Sequence, residues 1–148
     1  MLIPIGLGRD VKFIKGVGPT LSPITPKDIS HLTIDKASDR ISSVYETVKK
    51  VRKSLDKNKS LIGFCGGPWT VATYMIEGKG TPKKEKAKRF AYEHPEAMDD
   101  LLDALIISSA EYLVNQAEAG ADILKIFESW AEGLSPVSYT HLTLPTKA

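Results

Sequence analysis

The strongest constraint in the sequence is an alternation. Short apolar runs closed by glycine or proline are separated by stretches with helical periodicity. Residues 61–65 form one such run, ended by Gly66, Gly67 and Pro68, after which WTVATYMIEG opens a short helix. Pro95 starts a long helix reaching Gln116, with Leu101, Leu102, Leu105, Tyr112 and Leu113 mostly on one side and Gly120 as its stop. Residues 123–127 follow as a strand after the short connection typical of a parallel sheet. Residues 1–5, apolar almost throughout and followed by Gly6 and Gly8, read as a further buried strand. Such an abrupt start, with no polar lead-in, implies that Met1 is not the natural beginning of a domain. Ser38 reads as the N-cap of an amphipathic helix carrying Ile41, Val44, Val48, Val51 and Leu55, whose other face bears Lys49, Lys50, Arg52 and Lys53. Residues 16–26, with prolines at 19, 23 and 26, form a loop or extended arm. The order β, α, β, α, α, β predicts an α/β fold with a parallel sheet, either doubly wound or part of a barrel.

Composition narrows the function classes. The 148 residues are 42% hydrophobic and 26% charged, enough for a core, and no apolar run approaches the roughly 18–20 residues of a membrane span. A formal charge of +2 is too balanced for nucleic-acid binding through overall charge. Cys65 is the single cysteine, so no intrachain disulfide can close, and the N-terminus lacks the pattern of a secretory signal; a soluble cytoplasmic protein is expected. His31, His94 and His141 lie far apart without metal-ligand spacing, so no metal is expected.

Two turns stand where α/β folds place ligands, at the C-terminal ends of predicted parallel strands: GGPW after Phe64 and FESWAEG after Ile126. Gly66 and Gly67 would let a ligand approach the free N–H groups of the next helix, which suits a carboxylate or phosphate; alternatively they only make a tight turn. The phenol of Tyr74 either fills the core, the commoner fate, or offers its hydroxyl to a cavity. Ser129 can donate or accept a hydrogen bond, with no pattern marking it as a nucleophile. Glu77 and Glu128 form a carboxylate pair only if their strands are neighbours, and otherwise read as surface charges. Neither Gly6-x-Gly8 nor Gly16-x-Gly18 precedes a predicted helix as a dinucleotide loop must. Residues 79–89 carry six basic side chains and one acidic, which reads as a solvated helix face or, less commonly, a phosphate or RNA patch.

Taken together, IPIGLGRDVKFIKGVGP, LIGFCGGPWTVATYMIEGKG and AGADILKIFESWAEGLSP resemble the uroporphyrinogen decarboxylase family over residues 1–136. The middle block is the most specific. The resemblance implies part of a (β/α)8 TIM barrel, about three strands of eight, from a homodimeric enzyme. That enzyme converts uroporphyrinogen III to coproporphyrinogen III by removing four acetate carboxyl groups, without metal or organic cofactor and without nucleic-acid or membrane partners. It assigns substrate-binding roles to Tyr74 and Ser129, overturning the core reading of Tyr74. No catalytic residue is assigned, because the family's central aspartate would stand just before Met1 and its histidine in a later segment. Cys65 and Gly67 occupy positions where the family often has alanine. The runner-up is a corrinoid-dependent methyltransferase relative, whose zinc-binding His/Cys pattern is not visible; a small anion- or RNA-binding module on residues 79–89 is the alternative from another class. Residues 137–148, VSYTHLTLPTKA, depart from the family pattern and resemble a translated sequencing adapter, so they are expected to be a non-native tail and His141 is set aside. A chain with about three strands cannot close a barrel of about 250 residues, so it is expected to aggregate or stay partly molten and to be inactive alone.

Overall fold

The computed structural model describes residues 1–131. The proposed tail at 137–148 lies outside them. Two sheets are present: an antiparallel hairpin of β1 (Val11–Ile14) and β2 (Gly18–Leu21), and a parallel pair of β3 (Ile62–Gly66) and β4 (Ile123–Phe127). Helices α1 (Leu2–Gly6) and α2 (Pro26–Ile29) flank the hairpin. α3 (Ala37–Arg40) and α4 (Ser42–Ser54) precede β3, and α5 (Pro68–Glu77), α6 (Glu85–Glu93) and α7 (Pro95–Glu118) connect β3 to β4.

The β3–α–β4 unit follows the sequence pattern closely. Its strands pair in parallel from Ile62↔Ile123 to Gly66↔Phe127, so both end at the same edge. Asp122 fixes this register by accepting from the Leu61 N–H at 2.7 Å and from Arg52 at 2.9 Å, while Arg52 also donates to the carbonyls of Leu55, Asp56 and Lys59. Gln116 clips the middle of β3 from α7: its Oε1 accepts from the Phe64 N–H at 3.1 Å and its Nε2 donates to the Phe64 carbonyl at 3.2 Å. The core lies between α7, α5 and α1, where Leu7, Met75, Leu101 and Leu105 are fully buried.

Two expectations are corrected, and one open choice is decided. Residues 1–5 are not a strand, because α1 takes them. Pro4 has no N–H for a sheet ladder, whereas in the first turn of a helix that missing donor costs nothing. Of the two readings of residues 16–26, the extended arm rather than the plain loop is found, as the second strand of a hairpin. Gly16 and Gly18 adopt φ of 81° and 93°, which lets the chain reverse after Ile14, and β2 then pairs Thr20 with Lys12. The helix expected to run from Ser38 is broken at Ile41 (φ −112°, ψ 14°). Arg40 is drawn away to the Gly6 carbonyl at 2.8 Å, and Ile41 is buried at the break. Ser38 is no N-cap; its hydroxyl lies 3.1 Å from the Tyr45 hydroxyl and accepts from Asn115 at 2.8 Å. The described residues therefore hold four strands in two sheets rather than three in one, and the architecture is α/β.

No described residue covers the side of the parallel pair that faces away from the helices. Ile62, Phe64 and Phe127 lie on it, 55, 57 and 48% exposed, and the Phe64 and Phe127 rings meet edge to face at 5.8 Å; Ile126, on the other face of β4, is 52% exposed as well. A contiguous apolar patch on an unpaired sheet edge promotes self-association. The 148-residue chain is expected to elute as oligomers and to bind an apolar dye, and Phe64→Lys with Ile126→Lys to shift it toward monomer. Light scattering after size exclusion checks this; an unmodified chain that stays monomeric at high concentration contradicts it.

Candidate functional site

At the shared edge, β3 runs through Gly66 and Gly67 into α5 with Pro68 at its first position, and β4 ends in the turn Glu128–Ser129–Trp130. The Gly67 N–H donates to the Phe127 carbonyl at 2.8 Å, joining the two exits. The free N–H groups of α5 do attract an anion, as the glycine turn implied. It is the protein's own. Glu128 folds back so that its carboxylate accepts from the Trp69 N–H at 3.0 Å, the Thr70 N–H at 2.7 Å and the Thr70 hydroxyl. A Cβ on Gly67 would lie 2.2 Å from Glu128 Oε2, so the glycine makes room for this cap.

The same turn is fastened a second time. The Trp130 N–H donates to the Thr70 hydroxyl oxygen at 3.0 Å, and the Trp69 indole N–H donates to the Trp130 carbonyl at 3.0 Å. These bonds bring the Trp130 ring onto Tyr74, one turn further along α5, with centroids 4.4 Å apart and planes 14° from parallel. Tyr74 is half-buried, and its hydroxyl lies where a Cβ on Gly80 would come within 3.1 Å, so the segment after α5 closes tightly over it. Lys84 Nζ sits 5.5 Å from the Trp130 ring centroid. Ser129, between the two fastened residues, is exposed. Tyr74 and Ser129 thus belong to one corner of the fold, linked through their neighbours rather than by a direct hydrogen bond among the described residues.

Glu77 and Glu128 correct both sequence readings. They are neither a pair nor free surface charges: they stand at opposite ends of α5, half-buried. Glu77 accepts from the Ala87 N–H of α6 at 3.0 Å as Glu128 accepts at α5. Residues 85–93 form a helix that buries Ala87 and Phe90 and exposes Lys88 and Arg89, as a solvated basic face does. No three His, Cys, Asp or Glu side chains among the described residues come together as a metal-holding set. No helix there is long and apolar enough to cross a membrane. Sequence reasoning missed Trp130 and read Lys84 only as one of the basic run at 79–89. The motif FESWAEG contains Trp130, yet only the fastening to Thr70 and Trp69 turns its ring onto Tyr74.

Cys65, behind this corner, is buried, and burial pushes its thiol from an ordinary value near 9 up to about 11. The Met1 ammonium opposes that shift and the Glu128 carboxylate adds to it. An unfolded thiol ionises first, so this contribution to stability is complete below pH 9 and is lost as pH rises toward 11. Alkylation of Cys65 by iodoacetamide is expected to stay slow through pH 9 and to accelerate only near pH 11, whereas a profile with its midpoint at the free-thiol value contradicts burial.

The chain matches the family model described as uroporphyrinogen decarboxylase (URO-D) over residues 1–148. It is 47% identical over 139 residues to the uroporphyrinogen decarboxylase of Chelativorans sp. (strain BNC1), covering 94% of this chain and 41% of that protein. To that of Phenylobacterium zucineum it is 50% identical over 135 residues, covering 91% and 39%. To that of Maricaulis maris it is 44% identical over 148 residues, covering 99% and 43%. The chain therefore spans about two-fifths of the length of these relatives. Among solved structures, a methyltransferase from Methanosarcina mazei superposes with a TM-score of 0.74 at 20% identity, over 96% of this chain and 42% of that one. That likeness is one of fold. It does not favour the methyltransferase alternative, because the relatives at 44–50% identity carry the decarboxylase name. The chain belongs to the uroporphyrinogen decarboxylase family.

Proposed function

We propose that this chain builds part of a site that decarboxylates uroporphyrinogen III to coproporphyrinogen III, and that β3, α7 and β4 are one unit of an eight-stranded barrel in the full-length protein. One observation carries the reading: the Tyr74–Trp130 stack and Ser129 gather at the C-terminal ends of two parallel strands, where such folds bind ligands. In each cycle a pyrrole ring carbon takes up a proton, giving a cationic ring. The C–CO2⁻ bond breaks, its electron pair flows into that ring, and CO2 leaves; the exposed methylene then gains a proton while the ring carbon loses one. No external electron acceptor is required. Tyr74 and Ser129 each supply a hydroxyl that can donate to a substrate carboxylate. Glu128 would repel those carboxylates if free, but the α5 N-terminus and Thr70 hold its charge. The reading includes a homodimeric, cytoplasmic full-length enzyme that uses neither cofactor nor nucleic acid.

The test is turnover of uroporphyrinogen by the full-length protein carrying this segment, with coproporphyrin measured by chromatography after oxidation. Tyr74→Phe is expected to lower kcat/KM about tenfold, the loss of one hydrogen bond to a charged group. The 148-residue chain alone is expected to be inactive. Absence of turnover by the full-length protein overturns the reading; an unaffected Tyr74→Phe overturns the role of the phenol.

A further inference from the structure

Lys84 is the one non-glycine residue among the described residues with positive φ, at 54° (ψ 36°), immediately before α6. Backbone held in this region by a long side chain is costly, and where it persists its surroundings or its use must account for it. Helix capping does not account for it. The Ala87 N–H already has the Glu77 carboxylate, and the Lys88 N–H bonds the Lys84 carbonyl at 3.1 Å, a main-chain bond that any residue could make. What the conformation does achieve is to bring Nζ to the Trp130 ring, at 5.5 Å from its centroid, beside the ring that Tyr74 stacks on. Lys83 reaches Glu85 at 3.8 Å, whereas Lys84, like Lys86, Lys88 and Arg89, has no carboxylate within ion-pair distance among the described residues; of these only Lys84 lies over an aromatic ring. The strand bridge Thr20↔Lys79 and the Leu21 N–H to Gly78 carbonyl bond at 2.9 Å tie the segment leading to Lys84 down against the hairpin.

We propose that Lys84 is a carboxylate-binding residue of the Tyr74 site. Trp130 holds its ammonium at the mouth of the site, where it contacts one of the peripheral carboxylates of a polycarboxylate substrate. The inference rests on the porphyrinogen reading above and deepens it by naming a cation for this corner. A cation against an aromatic face keeps its charge while losing part of its hydration, so it exchanges onto an arriving carboxylate at reduced desolvation cost.

The test uses the full-length protein carrying this segment. Lys84→Met is expected to raise KM for uroporphyrinogen about fivefold with kcat within about twofold, the size of one partly exposed ion pair, and to flatten the salt dependence of kcat/KM. Lys84→Arg should restore KM. Independently of turnover, uroporphyrin, an octacarboxylate, is titrated against tryptophan fluorescence, and the Met variant should bind about fivefold more weakly. Lys84→Gly relieves the backbone and should unfold at a higher denaturant concentration than Lys84→Met, yet bind uroporphyrin as weakly as it does. Equal KM and equal uroporphyrin affinity in wild type and Lys84→Met overturn the assignment, as does a fall in kcat with KM unchanged. If the full-length protein turns nothing over, the decarboxylase reading fails while the uroporphyrin titration still decides Lys84.

Discussion

Glu128→Ala is expected to destabilise the fold by about 3 kcal/mol, because it removes one carboxylate that satisfies three donors at once. The N–H groups of Trp69 and Thr70 are orphan donors of the first turn of α5, and both belong to half-buried or buried residues with limited access to replacement water. The Thr70 hydroxyl also loses the acceptor that orients it, although its oxygen still receives the Trp130 N–H. Part of the loss therefore reaches the aromatic stack, and the fluorescence of Trp130, one of two tryptophans, should shift in the native baseline as well as in the transition. Urea unfolding in the Phe64→Lys, Ile126→Lys background gives the comparison. Glu128→Gln keeps an acceptor oxygen without the charge and should lose about half as much. Combining Glu128→Ala with Thr70→Val should cost clearly less than the sum of the two, since both act on one network. A loss below about 0.5 kcal/mol for Glu128→Ala would show that the cap is a solvated contact of the kind exposed ion pairs make.

This cap also explains how far the sequence could be read. The run at 61–65, the glycine turn, the long helix and the strand at 123–127 each carry a local signal, and each is found within a residue or two of its expected position. The parallel pairing follows from the helix between them. The misreadings occur where a distant partner decides. Residues 1–5 carry an apolar pattern that suits strand or helix equally; the burial of α1 against α7 and α3 decides for the helix, and the missing donor of Pro4 is its one local sign. The break at Ile41 depends on Arg40 reaching Gly6, 34 residues back in the chain. In the candidate site, Tyr74 and Ser129 stood out through the family resemblance, whereas Trp130 and Lys84 gain meaning from contacts across roughly 50 residues, to which periodicity is blind. The glycine turn showed that an anion belongs at α5, but not that the chain supplies it. Gly67 can admit Glu128 only because β4 ends beside β3, and that is a tertiary fact.

Gly78→Ala is expected to cost about 3 kcal/mol and to disturb the site from the other end of α5. Gly78 closes this helix in the left-handed region, at φ 82°, with its N–H donating to the Tyr74 carbonyl at 2.9 Å. An L side chain there meets an unfavourable backbone well worth about 1 kcal/mol. It also meets a steric limit, since its Cβ would lie 2.9 Å from the Leu21 carbonyl oxygen and 3.0 Å from Pro23 Cγ. The Leu21 oxygen is backbone and cannot rotate away. Its residue also donates its N–H to the Gly78 carbonyl at 2.9 Å, so moving β2 outward would break that bond. Relief must come by displacing the hairpin or by unwinding the last turn of α5, and the second route moves Tyr74 itself. Gly78→Ala should therefore lower the urea midpoint and loosen the Tyr74–Trp130 stack together, read as a shift in native tryptophan emission. Gly16, at φ 81° with nothing within 4 Å of a Cβ, is the control: Gly16→Ala meets the same backbone penalty without the clash and should cost only about 1 kcal/mol. Equal losses at the two positions would mean that conformation alone, and not the approach of β2, makes Gly78 necessary.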